Sequence, residues 1–268
     1  MSSHKGTLVI IGGAEDKYQQ PEILEGVVSL IGGHAARLGI ITTATEHPKE
    51  SGHTYREVFS RLGVKETEIL DIRSREDANA EENIRIMRDM DGFFFTGGDQ
   101  LRITSILGGT RVYKELYYAF THGAAVIGTS AGASVMCSTM IVEGNSNDAA
   151  RKCTLKMAPG LGLVEGVIID QHFDQRGRLG RLLCGVAENP GILGIGIDEN
   201  TAIRVDPEDY FEVLGDNAVT VIDGRSIRKT NVSELEPDEI LTITDACIHV
   251  LAKGHGYDLK AREVITLH

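Results

Sequence analysis

Ala124-Ala-Val-Ile-Gly-Thr-Ser-Ala-Gly-Ala-Ser-Val-Met136 joins an apolar run, a turn of small residues and a second apolar run. The first run reads as a buried strand and the second as the start of a helix. Between them, Gly128-Thr129-Ser130-Ala131-Gly132 has the G-x-S-x-G spacing of a nucleophile elbow. Its glycines permit a sharp, strained turn that lifts the serine hydroxyl above the sheet. The N–H of Ala131, at the helix start, would then face a developing oxyanion. A small-residue turn that merely packs a helix on a sheet is the competing explanation. The strand before Ser130 and the helix after it favour the nucleophile.

Outward from this turn, short apolar runs alternate with longer amphipathic ones. Thr7 to Ile11, Arg37 to Ile41, Glu68 to Ile72 and Gly92 to Thr96 read as further strands. Helices are expected over Pro21 to Ile31, Lys49 to Leu62, Asn79 to Asp89, Gln100 to Leu107 and Val112 to His122. Continuous apolar strands separated by helices imply parallel crossovers and a sheet covered on both faces. The fold class is therefore α/β, a doubly wound and mostly parallel sheet, with ligands at the carboxyl ends of its strands. Gly12-Gly13, Gly97-Gly98 and the serine turn all fall at those ends. After about residue 200 the texture changes to short strands and turns (Thr201 to Val205, Phe211 to Val213, Ala218 to Ile222, Cys247 to Leu251), expected as a β-rich C-terminal extension of the same sheet. No repeat or linker interrupts the chain, so one domain over residues 1–268 is expected.

Composition narrows the possibilities. Of the 268 residues 41% are hydrophobic and 25% charged, an ordinary globular balance. A formal net charge of -12 opposes nucleic-acid binding, which needs a basic face to displace counterions. Cys137, Cys153, Cys184 and Cys247 form no C-x-x-C pair and read as reduced thiols. No leader precedes the first strand, and no apolar run approaches the ~18 residues of a membrane span. A cytoplasmic location is expected. His47 and His53 fit no common zinc spacing, so no metal is expected. Gly12-Gly13 lacks Walker-A and G-x-G-x-x-G spacing, so it is a strand-end turn near the site and no cofactor is implied.

A serine hydroxyl needs a base, and the base needs an orienting acid. His172 directly follows the apolar run Gly166-Val-Ile-Ile169, in Asp170-Gln171-His172-Phe173, and so lies at a strand end. A second run, Gly194-Ile-Gly-Ile197, ends in Asp198-Glu199-Asn200. Asp198 and Glu199 compete for the acid, and spacing does not choose between them. The order Ser, His, acid differs from the Ser, acid, His of ordinary α/β-hydrolases.

Together these motifs resemble those of the cyanophycinases. The resemblance rests on Gly6-Thr-Leu-Val-Ile-Ile-Gly-Gly-Ala-Glu-Asp16, Phe95-Thr-Gly-Gly-Asp-Gln100, Gly128-Thr-Ser-Ala-Gly-Ala133, Asp170-Gln-His-Phe173 with Arg176-Gly-Arg178, and Gly196-Ile-Asp-Glu-Asn-Thr-Ala202. Cyanophycinases are similar to peptidase E, and their fold is like that of class I glutamine amidotransferases. The resemblance implies Ser130 as nucleophile, His172 as base, Glu199 as acid, and the N–H groups of Gly98 and Ala131 as oxyanion donors. Its implied substrate is the cyanophycin polymer, a polyaspartate with arginine on each side-chain carboxyl, released as β-Asp-Arg dipeptides. Arg176, Arg178 and Arg181 suit a substrate carboxylate because a planar fork binds it through two hydrogen bonds. Arg178 and Arg181, three apart, would share a helix face. Gln100, Asp170 and Gln171 are the polar partners expected for substrate backbone or guanidinium. A homodimer is also implied. The alternatives are a peptidase E-like Asp-X dipeptidase, a glutamine amidotransferase (disfavoured by serine in place of cysteine) and an inert binding module.

Overall fold

A computed structural model describes residues 5–146, 148–152 and 155–266; Cys153 lies outside the described residues. Five apolar runs become parallel strands: β1 (Leu8–Ile11), β2 (Arg37–Ile41), β3 (Glu66–Leu70), β4 (Gly92–Phe95) and β5 (Ala125–Thr129). Because side chains alternate along a strand, β1, β2, β4 and β5 each feed two cores, whereas the edge strand β3 buries only Leu70. In β1, Leu8 and Ile10 pack with Phe93, Phe95 and Val126, whereas Val9 and Ile11 pack with Leu24, Val27 and Ile127 on the other face.

Helices cover both faces. They are α1 (Glu22–Ile31), α2 (Pro48–Arg61), α3 (Glu81–Arg88), α4 (Gln100–Leu107), α5 (Arg111–Thr121) and the single turn α6 (Ala131–Ser134). Helix α1 buries Ile23, Leu24, Val27, Val28 and Ile31, the 3.6-residue stripe of an amphipathic helix. It stops at Gly32, whose φ of 109° suits a residue without a Cβ. Asp99 starts α4 by accepting hydrogen bonds from the N–H groups of Leu101 and Arg102.

The chain continues through a hairpin, β6 (Thr139–Gly144) and β7 (Leu155–Pro159), then β8 (Val167–Gln171), α7 (Leu179–Glu188) and β9 (Leu193–Ile197). The remainder is β10 (Thr201–Val205), β11 (Tyr210–Gly215), β12 (Val219–Asp223), the two-residue β13 (Lys229–Thr230) and β14 (Ile243–Thr244), β15 (Cys247–Leu251), β16 (His255–Asp258) and β17 (Glu263–Thr266).

The expected C-terminal extension divides between two sheets. Strands β10, β11, β16 and β17 add antiparallel to the free edge of β1, giving a nine-stranded sheet ordered β17-β16-β11-β10-β1-β5-β4-β2-β3. Strands β12 and β15 instead join β9 and β8 in a separate four-stranded sheet ordered β15-β12-β9-β8. The physical reason is that β12 also serves two cores. Val219 and Val221 face the main core, and Ile222 faces Phe173, Leu182 and Val186 around α7. The period-two pattern is the same in either sheet, so it carries no information about which partner a strand takes. The helix after the serine is also shorter than the apolar run Ala133 to Met136 implied.

Close backbone approach accounts for both glycines of the serine turn. A Cβ on Gly128 would lie 2.2 Å from the carbonyl oxygen of Gly132, and one on Gly132 would lie 2.5 Å from that of Phe95. The helix turn therefore lies directly on β4 and β5. Gly128→Ala should destabilise the fold by about 1–3 kcal/mol or more, since backbone must move to admit the methyl. Denaturant unfolding would register the loss as a lower midpoint at unchanged slope.

Candidate active site

Four strand ends meet at one edge of the fold. Gly12-Gly13 follows β1, Ser130 follows β5, His172 follows β8 and Asp198-Glu199 follows β9. Ser130 has φ 54° and ψ -112°, a conformation that a non-glycine residue keeps only when its surroundings hold it. Its N–H donates to the Ile11 carbonyl at 3.0 Å. Its Oγ lies 2.9 Å from Nε2 of His172, and Nδ1 of His172 lies 2.6 Å from Oε1 of Glu199. A carboxylate only accepts, so Nδ1 carries the ring hydrogen and Nε2 turns its lone pair to the serine hydroxyl.

His172 is itself held in a left-handed conformation, φ 48°, by an N–H donated to the Gly12 carbonyl at 2.8 Å. Its ring occupies the space where a side chain on Gly13 would be: a Cβ there would fall 2.4 Å from Cε1. Gly13 also has φ 104°, so both sterics and backbone require glycine.

The structure separates the two candidate acids. Asp198 accepts N–H bonds from Asp174 at 3.0 Å and Ala218 at 3.2 Å, which fastens the loop after His172 to the loop before β12. Glu199 reaches the imidazole, and its own N–H donates to Oε1 of Gln175 at 2.9 Å. The histidine loop and the acid loop thus hold each other reciprocally. Asn200 continues the lattice. Its Oδ1 accepts from the Asp16 N–H at 2.8 Å, and its Nδ2 donates to Asp216 at 2.7 Å.

Burial depresses the His172 pKa, and the positive Arg176 and Arg178 add to that effect, while Glu199 opposes it. The ring is therefore poised neutral. The first N–H of α6, on Ala131, has no acceptor within the helix. Gly97 packs against the same turn, a Cβ there being 3.4 Å from that of Ser130. Gly98 has φ 144° and lies against the Ala44 carbonyl.

The expected polar residues behind His172 form a buried ionic cluster. Asp170 is 1% exposed and takes the Arg181 guanidinium through a two-pronged contact, with Nε 2.6 Å from Oδ2 and Nη2 on Oδ1. Arg178 bonds Asp170 at 3.2 Å and the Gln171 side chain at 3.1 Å. Burial lowers the Arg178 pKa to about 10 despite the Asp170 charge. Arg178 and Arg181 thus share a face as expected, but that face is turned inward on Asp170. Of the three arginines only Arg176 is exposed. Gln100 is also tied down, its Nε2 donating to the carbonyls of Ile141 and Val142 at 2.9 and 3.0 Å.

Sequence inspection missed Gln175, Asn200 and Glu15 as parts of the site. The first two act through backbone groups, which leave no residue-type signature. Glu15 stood inside the quoted motif Gly12-Gly-Ala-Glu-Asp16, but a loop carboxylate ordinarily reads as solvated. The buried thiol of Cys137 is pushed up to about 11 by burial and bonds the Ser134 carbonyl, which is a packing role. Among the described residues no group of three His, Cys, Asp or Glu side chains is placed to hold a metal. No helix there is long and apolar enough to cross a membrane.

A solved peptidase from an acI-B1 Actinobacterium shares this fold with a TM-score of 0.67 over 100% of this chain and 99% of that one, at 23% identity. Residues 8–213 match peptidase family S51, and the chain belongs to that family. It is 37% identical over 264 residues to the cyanophycinase of Synechococcus elongatus, covering 98% of this chain and 82% of that protein. It is 38% identical over 262 residues to the cyanophycinase of Trichormus variabilis, covering 97% and 88%.

Removing the charge of Asp170 would leave two buried guanidiniums without their counter-ion. Asp170→Asn should cost about 3–5 kcal/mol of stability, measured by denaturant unfolding, because an unpaired buried charge is strongly unfavourable.

Proposed function

We propose that this chain is a serine exopeptidase that degrades cyanophycin through an acyl-enzyme on Ser130. The observation that carries the proposal is the hydrogen-bonded series Ser130–His172–Glu199, 2.9 and 2.6 Å, on a strained strand-end turn. The relatives named cyanophycinase, which align with nearly the whole chain, support the choice of substrate.

In this mechanism Ser130 Oγ attacks the backbone carbonyl of an aspartyl unit while Nε2 of His172 takes its proton. Glu199 accepts the Nδ1 hydrogen, fixes the tautomer and stabilises the imidazolium that forms. The N–H groups of Ala131 and Gly98 receive the oxyanion, where fixed dipoles act most strongly on developing charge. His172 returns the proton to the leaving amine, and a water then repeats the sequence on the ester. Arg176 offers its exposed guanidinium to a substrate carboxylate. Asp170, Gln171, Arg178 and Arg181 form the buried polar wall behind His172, and Gln100 is proposed to meet the substrate backbone. The proposal includes a cytoplasmic location, for which the thiols of Cys137 and Cys247 argue. It also includes a homodimer, which rests on the resemblance alone.

Mass spectrometry of products after incubation with cyanophycin should find β-Asp-Arg from the wild type and none from Ser130→Ala. A serine that reacts with a fluorophosphonate probe while cyanophycin stays intact would remove the substrate and keep the hydrolase.

The base must be neutral to act, and His172 is held below the ordinary imidazole pKa. As pH rises, kcat/KM should therefore climb through a midpoint below about 6.5 and be flat at neutrality. Because the Glu199 charge raises that pKa, Glu199→Gln should move the acid limb further down as well as lowering the plateau. An acid limb above the ordinary value would contradict the assignment of His172 as a buried neutral base.

A further inference from the structure

Glu15 is 3% exposed, and its carboxylate is bound to the strand that carries the serine. Its Oε2 accepts the Thr129 hydroxyl at 2.6 Å, and its Oε1 accepts the Tyr55 hydroxyl at 2.5 Å. The Lys17 ammonium lies 3.0 Å from Oε1. Three donors thus take the place of the water that burial removes from this carboxylate. Burial and the neighbouring Glu15 charge push the Tyr55 phenol well above its ordinary pKa, so it stays a donor. Tyr55 is itself locked against Phe94 of β4, ring centres 4.5 Å apart.

The position of Glu15 in the chain gives this anchor its meaning. Thr129 is the residue directly before Ser130, and Gly13, which seats the His172 ring, lies two residues before Glu15. Gly13 and Ala14 are consecutively left-handed, at φ 104° and 47°. A turn containing alanine in that region does not hold itself. One residue further on, the Asp16 N–H binds Asn200, beside the acid. The Glu15 carboxylate is therefore where the serine strand and the histidine seat are joined by side chain.

We propose that Glu15 is a positioning residue: through Thr129 on one side and the Gly13–Ala14 turn on the other, it fixes the distance between Ser130 and His172. The proposal rests on those two residues being nucleophile and base. A merely stabilising Glu15 would change how much protein folds, not how fast each folded serine reacts.

Three near-isosteric variants separate these roles. Thr129→Val removes the donor, Glu15→Gln removes the charge and Thr129→Ser restores the hydroxyl. Each is titrated with a fluorophosphonate, and labelling and turnover are expressed per titrated serine. Thr129→Val and Glu15→Gln should lose about 10- to 100-fold in kcat and labelling rate with KM within about threefold, and Thr129→Ser should recover most of the loss. Wild-type rates per titrated serine in Thr129→Val and Glu15→Gln, whatever the yield of folded protein, would overturn the positioning role. Should Glu15→Gln fail to fold, Thr129→Val decides alone. A wild-type protein that does not label at Ser130 would instead refute the nucleophile assignment, and this proposal with it.

Discussion

The His172 ring lies in the space left by a side chain that Gly13 does not have, and the geometry of the site follows from that contact. The ring reaches Ser130 because the turn after β1 presents bare backbone to it. The Gly12 carbonyl fixes the histidine backbone, and Ile11, the last residue of β1, receives the serine N–H. A single strand end therefore braces both partners. Tight hydrogen bonding across 2.9 Å needs such bracing, since neither Ser130 nor His172 has a backbone conformation it would adopt alone.

Electrostatics and packing are separated in space behind this contact. On one side, Asp170, Arg178, Arg181 and Gln171 form a buried polar cluster in which one carboxylate serves two guanidiniums. On the other, Asp198 and Gln175 link the histidine and acid loops through backbone N–H groups. The first arrangement keeps a polar wall in a dry place, where each unpaired group would be costly. The second sets the angle at which Glu199 meets the imidazole.

Much of this was legible in the sequence. The parallel strands β1, β2, β4 and β5 announce themselves as apolar runs, and Gly128 to Gly132 carries the backbone demands of its turn in its composition. Ser130 and His172, both expected at strand ends, meet there at 2.9 Å. Asp198 and Glu199 could not be told apart by spacing, because the choice depends on which side chain the Asp174 and Ala218 N–H groups capture. The partition of β12 and β15 into a second sheet was hidden for a related reason: alternation specifies two faces, not a neighbour. The inward commitment of Arg178 and Arg181 was also invisible, since a helix face of arginines looks the same whether it meets solvent or Asp170. The β6–β7 hairpin, mostly half-exposed, lacks the apolar continuity that marks the other strands.

Ser130 belongs to the nine-stranded sheet and His172 to the four-stranded one, while Glu199 sits on the short link where the chain crosses from β9 to β10. On the proposed assignment, neither sheet alone contains a working set of groups. A nascent chain that has formed β1 to β5 carries a serine on its elbow but no base to draw off the proton. Hydrolytic competence therefore arises only when the two halves close on one another, so the fold acts as its own safety catch during synthesis.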